Sequence, residues 1–145
     1  MNPPDTTSAN TYLRTRVLTA SPEELRLMLL DGAVKFARQG REAIERKDYE
    51  GIYSGVSQCR SIVAELITSI RDDVDPTLAE RVRGVYMFLF RELLEVGMSR
   101  DGARLDRVIE LLEYERETWA LVIRKLTRER SVVTATESAA ISVQA

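Results

Sequence analysis

Carboxylates are the only catalytic side chains this sequence holds in quantity: 23 Asp and Glu stand against 21 Lys and Arg, with no histidine and one cysteine. In helical proteins, carboxylates bind di-metal centres when Glu-x-x-His motifs complete them, and a chain without histidine lacks that completion. Asp72, Asp73 and Asp75 cluster ahead of Pro76, but a calcium loop needs a glycine turn and a closing glutamate that are missing. They read as a solvated acidic junction. Cys59 lies on the apolar seam of a helix with no histidine to activate it, which predicts a buried, inert thiol. Arg124, Lys125, Arg128 and Arg130 complement the negative end of their own helix. No glycine-rich phosphate loop is present. The expectation is a protein that is no enzyme, with no cofactor and no metal.

Composition narrows the partners. A chain of 145 residues is one domain by length. A net charge of −2 gives no electrostatic bias toward nucleic acid or an anionic membrane. Apolar runs are only a few residues long, too short for membrane insertion, and the N-terminus has no apolar signal region. A lone cysteine suits a reducing compartment, so the expected location is the cytosol.

The elements follow from caps and periodicity. Residues 1–11 read as a disordered tail, polar and with Pro3 and Pro4. Ser21 is an N-cap, Pro22 occupies the first helical position, and Glu24 is placed to close a capping box. The first long helix then runs from 22 to about 47, with Leu25, Met28, Leu29, Ala33, Phe36, Gly40, Ala43 and Ile44 on one face. Gly32 and Gly40 inside it imply a closely packed neighbour.

Asp48 caps a second helix, about 49–71, whose seam is Ile52, Val56, Cys59, Val63, Leu66 and Ile70. Asp75 or Thr77 caps a third, about 76–96, with Leu78, Val82, Val85, Leu89 and Val96 in one stripe. Tyr86, Met87, Phe88, Phe90, Leu93 and Leu94 widen that stripe well beyond one face. A fourth helix, about 103–129, carries Leu105, Val108, Ile109, Leu112, Trp119, Val122, Ile123 and Leu126. Residues 131–145 read as a disordered tail. The fold class is all-α, an antiparallel four-helix bundle over 12–130 with a short N-terminal segment packing on it.

A bundle needs one apolar stripe per helix, and this chain offers more. Residue types alone leave two readings open: a broad core, or a groove for a partner helix.

Two pieces of sequence favour the groove. Thr19-Ala20-Ser21-Pro22-Glu23-Glu24-Leu25 and Leu30-Asp31-Gly32-Ala33 resemble the opening motif of the FliS family of flagellar export chaperones. The junction Lys47-Asp48-Tyr49, the pattern Ile62, Glu65, Leu66, Ile70, the run Tyr86, Met87, Leu93, and Trp119 resemble later family positions in order. Leu30, Val85, Val96 and Gly97 depart from the family pattern, as in a divergent member.

The resemblance implies a cytosolic chaperone that binds the disordered, amphipathic C-terminal segment of flagellin. Such a chaperone prevents premature polymerisation and aids delivery to the flagellar type III export apparatus, with export-gate components as further partners. The apolar excess beyond one core stripe places the partner surface at Ile62, Leu66, Ile67, Tyr86, Leu89, Phe90 and Leu93. The resemblance implies that Tyr12, Leu13, Val17 and Leu18 cover part of the groove when flagellin is absent. The alternative reading is a self-associating helical adaptor, homodimeric when unliganded through the same apolar faces.

Overall fold

A computed structural model describes residues 6–71 and 75–144. Five helices follow one another: α1 (Thr6–Thr19), α2 (Pro22–Arg46), α3 (Tyr49–Thr68), α4 (Pro76–Ser99) and α5 (Gly102–Gln144). Asp72 and Asp73, expected in an acidic junction, lie outside the described residues.

The caps are those the sequence names. Ser21 is extended, as a residue before proline must be, and its hydroxyl accepts from the Glu24 N–H at 3.1 Å. Asp48 accepts from the Gly51 N–H at 3.0 Å, and Asp75 from the Leu78 N–H at 3.1 Å. At the other ends, Lys47 closes α2 and Arg100 closes α4 in the left-handed conformation, with φ 54° and 55°.

α2 to α5 form a square in which α2 and α4 each pack on α3 and α5. Paired residues run in opposite order on every side, as in Asp31–Arg116 and Arg41–Asp106, so the bundle is antiparallel. Its core is Leu30, Ala33, Val34 and Ala37 from α2 against Ile52, Val56, Cys59, Val63 and Leu66 from α3. Tyr86, Leu89, Leu93 and Val96 of α4 and Leu105, Val108 and Leu112 of α5 complete it. The tightest seam is α2 against α3. A methyl group on Gly55 would lie 2.6 Å from the Gly40 nitrogen and 2.8 Å from the Phe36 carbonyl oxygen, so the two backbones touch there. Gly40 therefore has the close neighbour its position implies, and Gly32 faces Ile62 across the same seam.

Two helix faces are rotated from expectation. α2 buries Leu30, Val34 and Ala37, while Leu25 is turned outward. α4 buries Ala79, Tyr86, Leu89, Leu93 and Val96, leaving Leu78 exposed. The ends differ too. The expected N-terminal tail is helical from Thr6, and the expected C-terminal tail continues α5 to Gln144. The segment beyond 130 contains no glycine or proline to stop a helix. Ser131, Thr134 and Thr136 donate their hydroxyls back to carbonyls one turn earlier, at 2.9–3.0 Å. Residues 127–143 are exposed throughout.

Candidate partner-binding grooves

The residues singled out from sequence divide into three groups in the structure. Leu66, Leu89 and Leu93 are fully buried, and Tyr86 nearly so, so these four are core side chains and offer no surface to a partner. The sequence counts Tyr86 and Leu93 as surplus because it places the α4 stripe on Leu78 and Val85. Rotating that stripe onto Tyr86 turns both into core. Ile62, Ile67 and Phe90 remain half-buried at the bundle surface, packed against the core but reachable.

These three flank α3 on opposite sides. Ile62 joins Phe36 of α2 in an open depression of about 280 Å³, whose other walls are Ser57, Gln58 and Ser61. The Lys35 ammonium lies 5.7 Å from the centre of the Phe36 ring. On the far side, Tyr49, Tyr53 and Arg60 of α3 meet Gly97 of α4 and Arg100, the residue that closes it, around a cleft of about 130 Å³ floored by Ile52 and Val56. Leu94, Phe90 and Met87 continue from Gly97 at steps of three, four and three, the spacing of one helix side. Arg60, Ala64 and Ile67 form the matching row on α3.

Between the grooves, the outer face of α3 is made of small polar residues. Ser57 donates to the Ser54 carbonyl at 3.3 Å and Thr68 to that of Glu65 at 3.0 Å. The Gln58 amide donates to both the Ser54 carbonyl and its hydroxyl. These groups satisfy one another within the helix, so covering them strands few polar partners. Glu50, Arg60 and Glu65 are the only charges in α3.

The opposite side of the bundle is built from ion pairs. Arg38 pairs with Glu113, Arg41 with Asp106 at 2.8 Å, and Arg116 with Asp31 at 3.4 Å, all between α2 and α5. Arg104 joins α5 to Glu92 of α4 at 3.1 Å.

Tyr86 has a different task from the one expected of it. Its hydroxyl donates to Glu115 at 3.4 Å. Burial, then the Glu115 charge, push its pKa up to about 12. Burial also raises the Glu115 carboxyl, against the opposing effects of the Tyr86 hydroxyl and the Arg26 charge. Arg26 donates to the Ser69 hydroxyl at 3.0 Å and sits 5.2 Å from the centre of the Trp119 ring. The Trp119 indole in turn donates to the Glu23 carbonyl at 2.8 Å. Tyr86 and Trp119 thus help tie together the bundle end where α2 begins.

The four residues expected to cover the groove are turned to solvent. Tyr12 is 70 % exposed, Leu13 51 %, Val17 40 % and Leu18 75 %. Cys59 is buried, and burial pushes its thiol up to about 12, so it is no thiolate nucleophile at neutral pH. Among the described residues no group of three or more His, Cys, Asp or Glu could hold a metal ion. No described helix is long and apolar enough to cross a membrane.

Sequence reasoning missed Phe36, Ser57, Gln58 and Ser61 on one flank of α3 and Tyr49, Arg60 and Arg100 on the other. A usable signal was present: serines at 54, 57 and 61 mark an exposed helix face with almost no charge.

The family profile for Flagellar protein FliS matches residues 5–126. The flagellar secretion chaperone FliS of Bacillus subtilis (strain 168) is 28 % identical over 119 residues, covering 82 % of this chain and 88 % of that one. The chaperone of the same name from Salmonella typhimurium (strain LT2) is 24 % identical over 124 residues, covering 85 % and 92 %. A solved structure described as a flagellar chaperone from bacteria superposes with a TM-score of 0.68 at 14 % identity, covering 84 % of this chain and 99 % of that one, which supports the bundle fold.

Proposed function

The chain belongs to the FliS family of flagellar secretion chaperones, and from that premise we propose that it binds the disordered C-terminal segment of flagellin along both flanks of α3. The observation carrying this reading is the pair of grooves. Ile62 with Phe36 opens on one side, and the cleft among Tyr49, Arg60, Gly97 and Arg100 opens on the other, with half-buried Ile67 and Phe90 on the helix rows that continue from it. An amphipathic segment wrapped over α3 would place successive apolar faces in the two grooves. Wrapping contacts of this kind are specific yet separable, because ordering the segment costs about 2–5 kcal/mol of the gross interaction. Held this way, the segment is kept from polymerising and is presented in the cytosol for delivery to the export apparatus and its gate components.

We take residues 12–130 as the unit that does this, with 1–11 and 131–145 as its tails. α1 joins α2 at Ala20 and Ser21, and covering a groove would require it to swing about this junction, since its Tyr12, Leu13, Val17 and Leu18 face solvent in the structure. Deleting residues 1–18 then raises affinity for the segment. Unchanged affinity removes α1 as a cover.

The direct test is calorimetric titration with the C-terminal segment of the flagellin from the same organism. One-to-one binding at micromolar affinity or tighter, with a negative heat-capacity change, supports the reading. A competing reading, the self-associating adaptor, draws on the four exposed apolar residues of α1. It requires a persistent dimer in light scattering across a concentration series and no heat with the flagellin segment.

A further inference from the structure

Two arginines stand at the mouth of the α3–α4 cleft without a carboxylate partner. The interhelical pairs engage Arg38, Arg41, Arg104 and Arg116, and neither Arg60 nor Arg100 has an ion-pair partner among the described residues. Arg100 sits over the Tyr49 ring, its guanidinium carbon 4.3 Å from the ring centre. Arg60 is half-buried on the same cleft wall. A half-buried guanidinium with no ion-pair partner among the described residues is open to an acid from outside the chain. Of the acids next to the cleft in sequence, Asp48 caps α3 and Asp101 accepts from the Arg104 N–H at 3.2 Å.

The cleft is therefore cationic at its mouth and apolar on its floor, where Ile52 and Val56 lie, with the exposed Tyr53 ring on its wall. That pairing matches a carboxylate carried on a short aliphatic stem. We propose that this cleft receives an aspartate or glutamate side chain of the bound flagellin segment, and that the contact fixes the register of the segment along α3. The inference rests on the flagellin reading above. The contact of Arg100 with Tyr49 favours one placement of its side chain, which lowers the freedom lost on binding. A charge-assisted, two-arginine contact at one end of an otherwise apolar groove adds what apolar grooves lack, a reason for one register over its neighbours.

The experiment is calorimetric titration of the full chain, and of Arg60→Gln and Arg100→Gln, with a synthetic peptide covering the flagellin C-terminal segment. It is run at low and high salt, and repeated with peptides in which each Asp or Glu in turn is replaced by its amide. The expected result is about tenfold weaker binding for each arginine variant, with a flatter salt dependence. One amide-substituted peptide binds wild type and both variants alike, the signature of a shared pair. Arg60→Lys, which keeps the charge, retains part of the affinity, and thermal melts verify that each variant folds.

Wild-type binding with unchanged affinity in both variants overturns the inference and leaves the flagellin reading standing. The same holds if no acidic position couples to the arginines, or if only amidating the peptide's terminal carboxylate abolishes the effect. No binding by the wild-type chain overturns both.

Discussion

The two long sides of this bundle are built on opposite principles. Between α2 and α5 the surface is closed by Arg38–Glu113, Arg41–Asp106 and Arg116–Asp31. Around α3 the surface is small, hydroxyl-rich and almost uncharged, with an open groove on each flank. Exposed ion pairs contribute little stability, in the range of about 0–1 kcal/mol each, but they dress a surface against apolar partners. The α3 side lacks that dressing. Reachable apolar surface is where a partner is expected, so on the proposed reading the charge pattern separates a scaffold side from a binding side.

Substitutions should separate the two sides in graded steps. Leu89→Ala empties a fully buried site, and is expected to cost about 2–5 kcal/mol in denaturant unfolding. Binding by the molecules that remain folded should be unchanged, because Leu89 presents no surface. Gly55→Ala forces a methyl group against the backbone of α2, with an expected cost of about 1–3 kcal/mol. Gly84→Ala meets open space in α4 and should raise stability by up to about 1 kcal/mol.

Phe90→Asp or Ile62→Asp should lower affinity for the flagellin segment about tenfold or more, with a lowered melting temperature because both side chains also pack on the core, so affinity is read on the folded fraction. A matching loss from Arg41→Ala on the other side would erase the distinction. The expectation there is unchanged binding and a stability change below about 1 kcal/mol.

The smallest effect is in pH. Glu115 has its carboxyl raised by burial, so the folded state holds that proton to higher pH than the unfolded chain does. This contribution to stability is complete below the ordinary glutamate range and fades as pH rises through the raised value. Glu115→Gln should flatten that part of the stability profile, read by urea titrations across the acidic range.

What the sequence made legible was local. Ser21 and Asp48 are caps whose chemistry acts within three residues and both cap as expected, while of the two alternatives Asp75 and Thr77 the structure uses Asp75. The α3 seam from Ile52 to Leu66 was equally readable, because its apolar residues recur in one heptad row and little competes with them. α4 was harder. A helix apolar around most of its circumference has no preferred face in sequence, and only its neighbours choose Tyr86 and Leu93 over Val85 and Leu78.

The grooves were illegible for a related reason. Each needs two helices at a fixed rotation, so Phe36 meeting Ile62, or Arg100 meeting Tyr49, has no signature in either segment alone. The left-handed closure at Arg100 that sets this cleft is carried by a residue type that rarely announces it. The tail beyond 130 misled in the opposite direction: Ser and Thr read as coil, yet their hydroxyls bond back into the helix.

The most direct test of a binding side opposed to a scaffold side is backbone amide mapping by NMR while the flagellin C-terminal segment is titrated in. The account predicts perturbations running along α3 on both flanks, through Ile62 and Ile67 and across to Phe90, with the α2–α5 seam around Arg41 and Asp106 silent. Perturbations concentrated on that seam, with α3 unmoved, would contradict it.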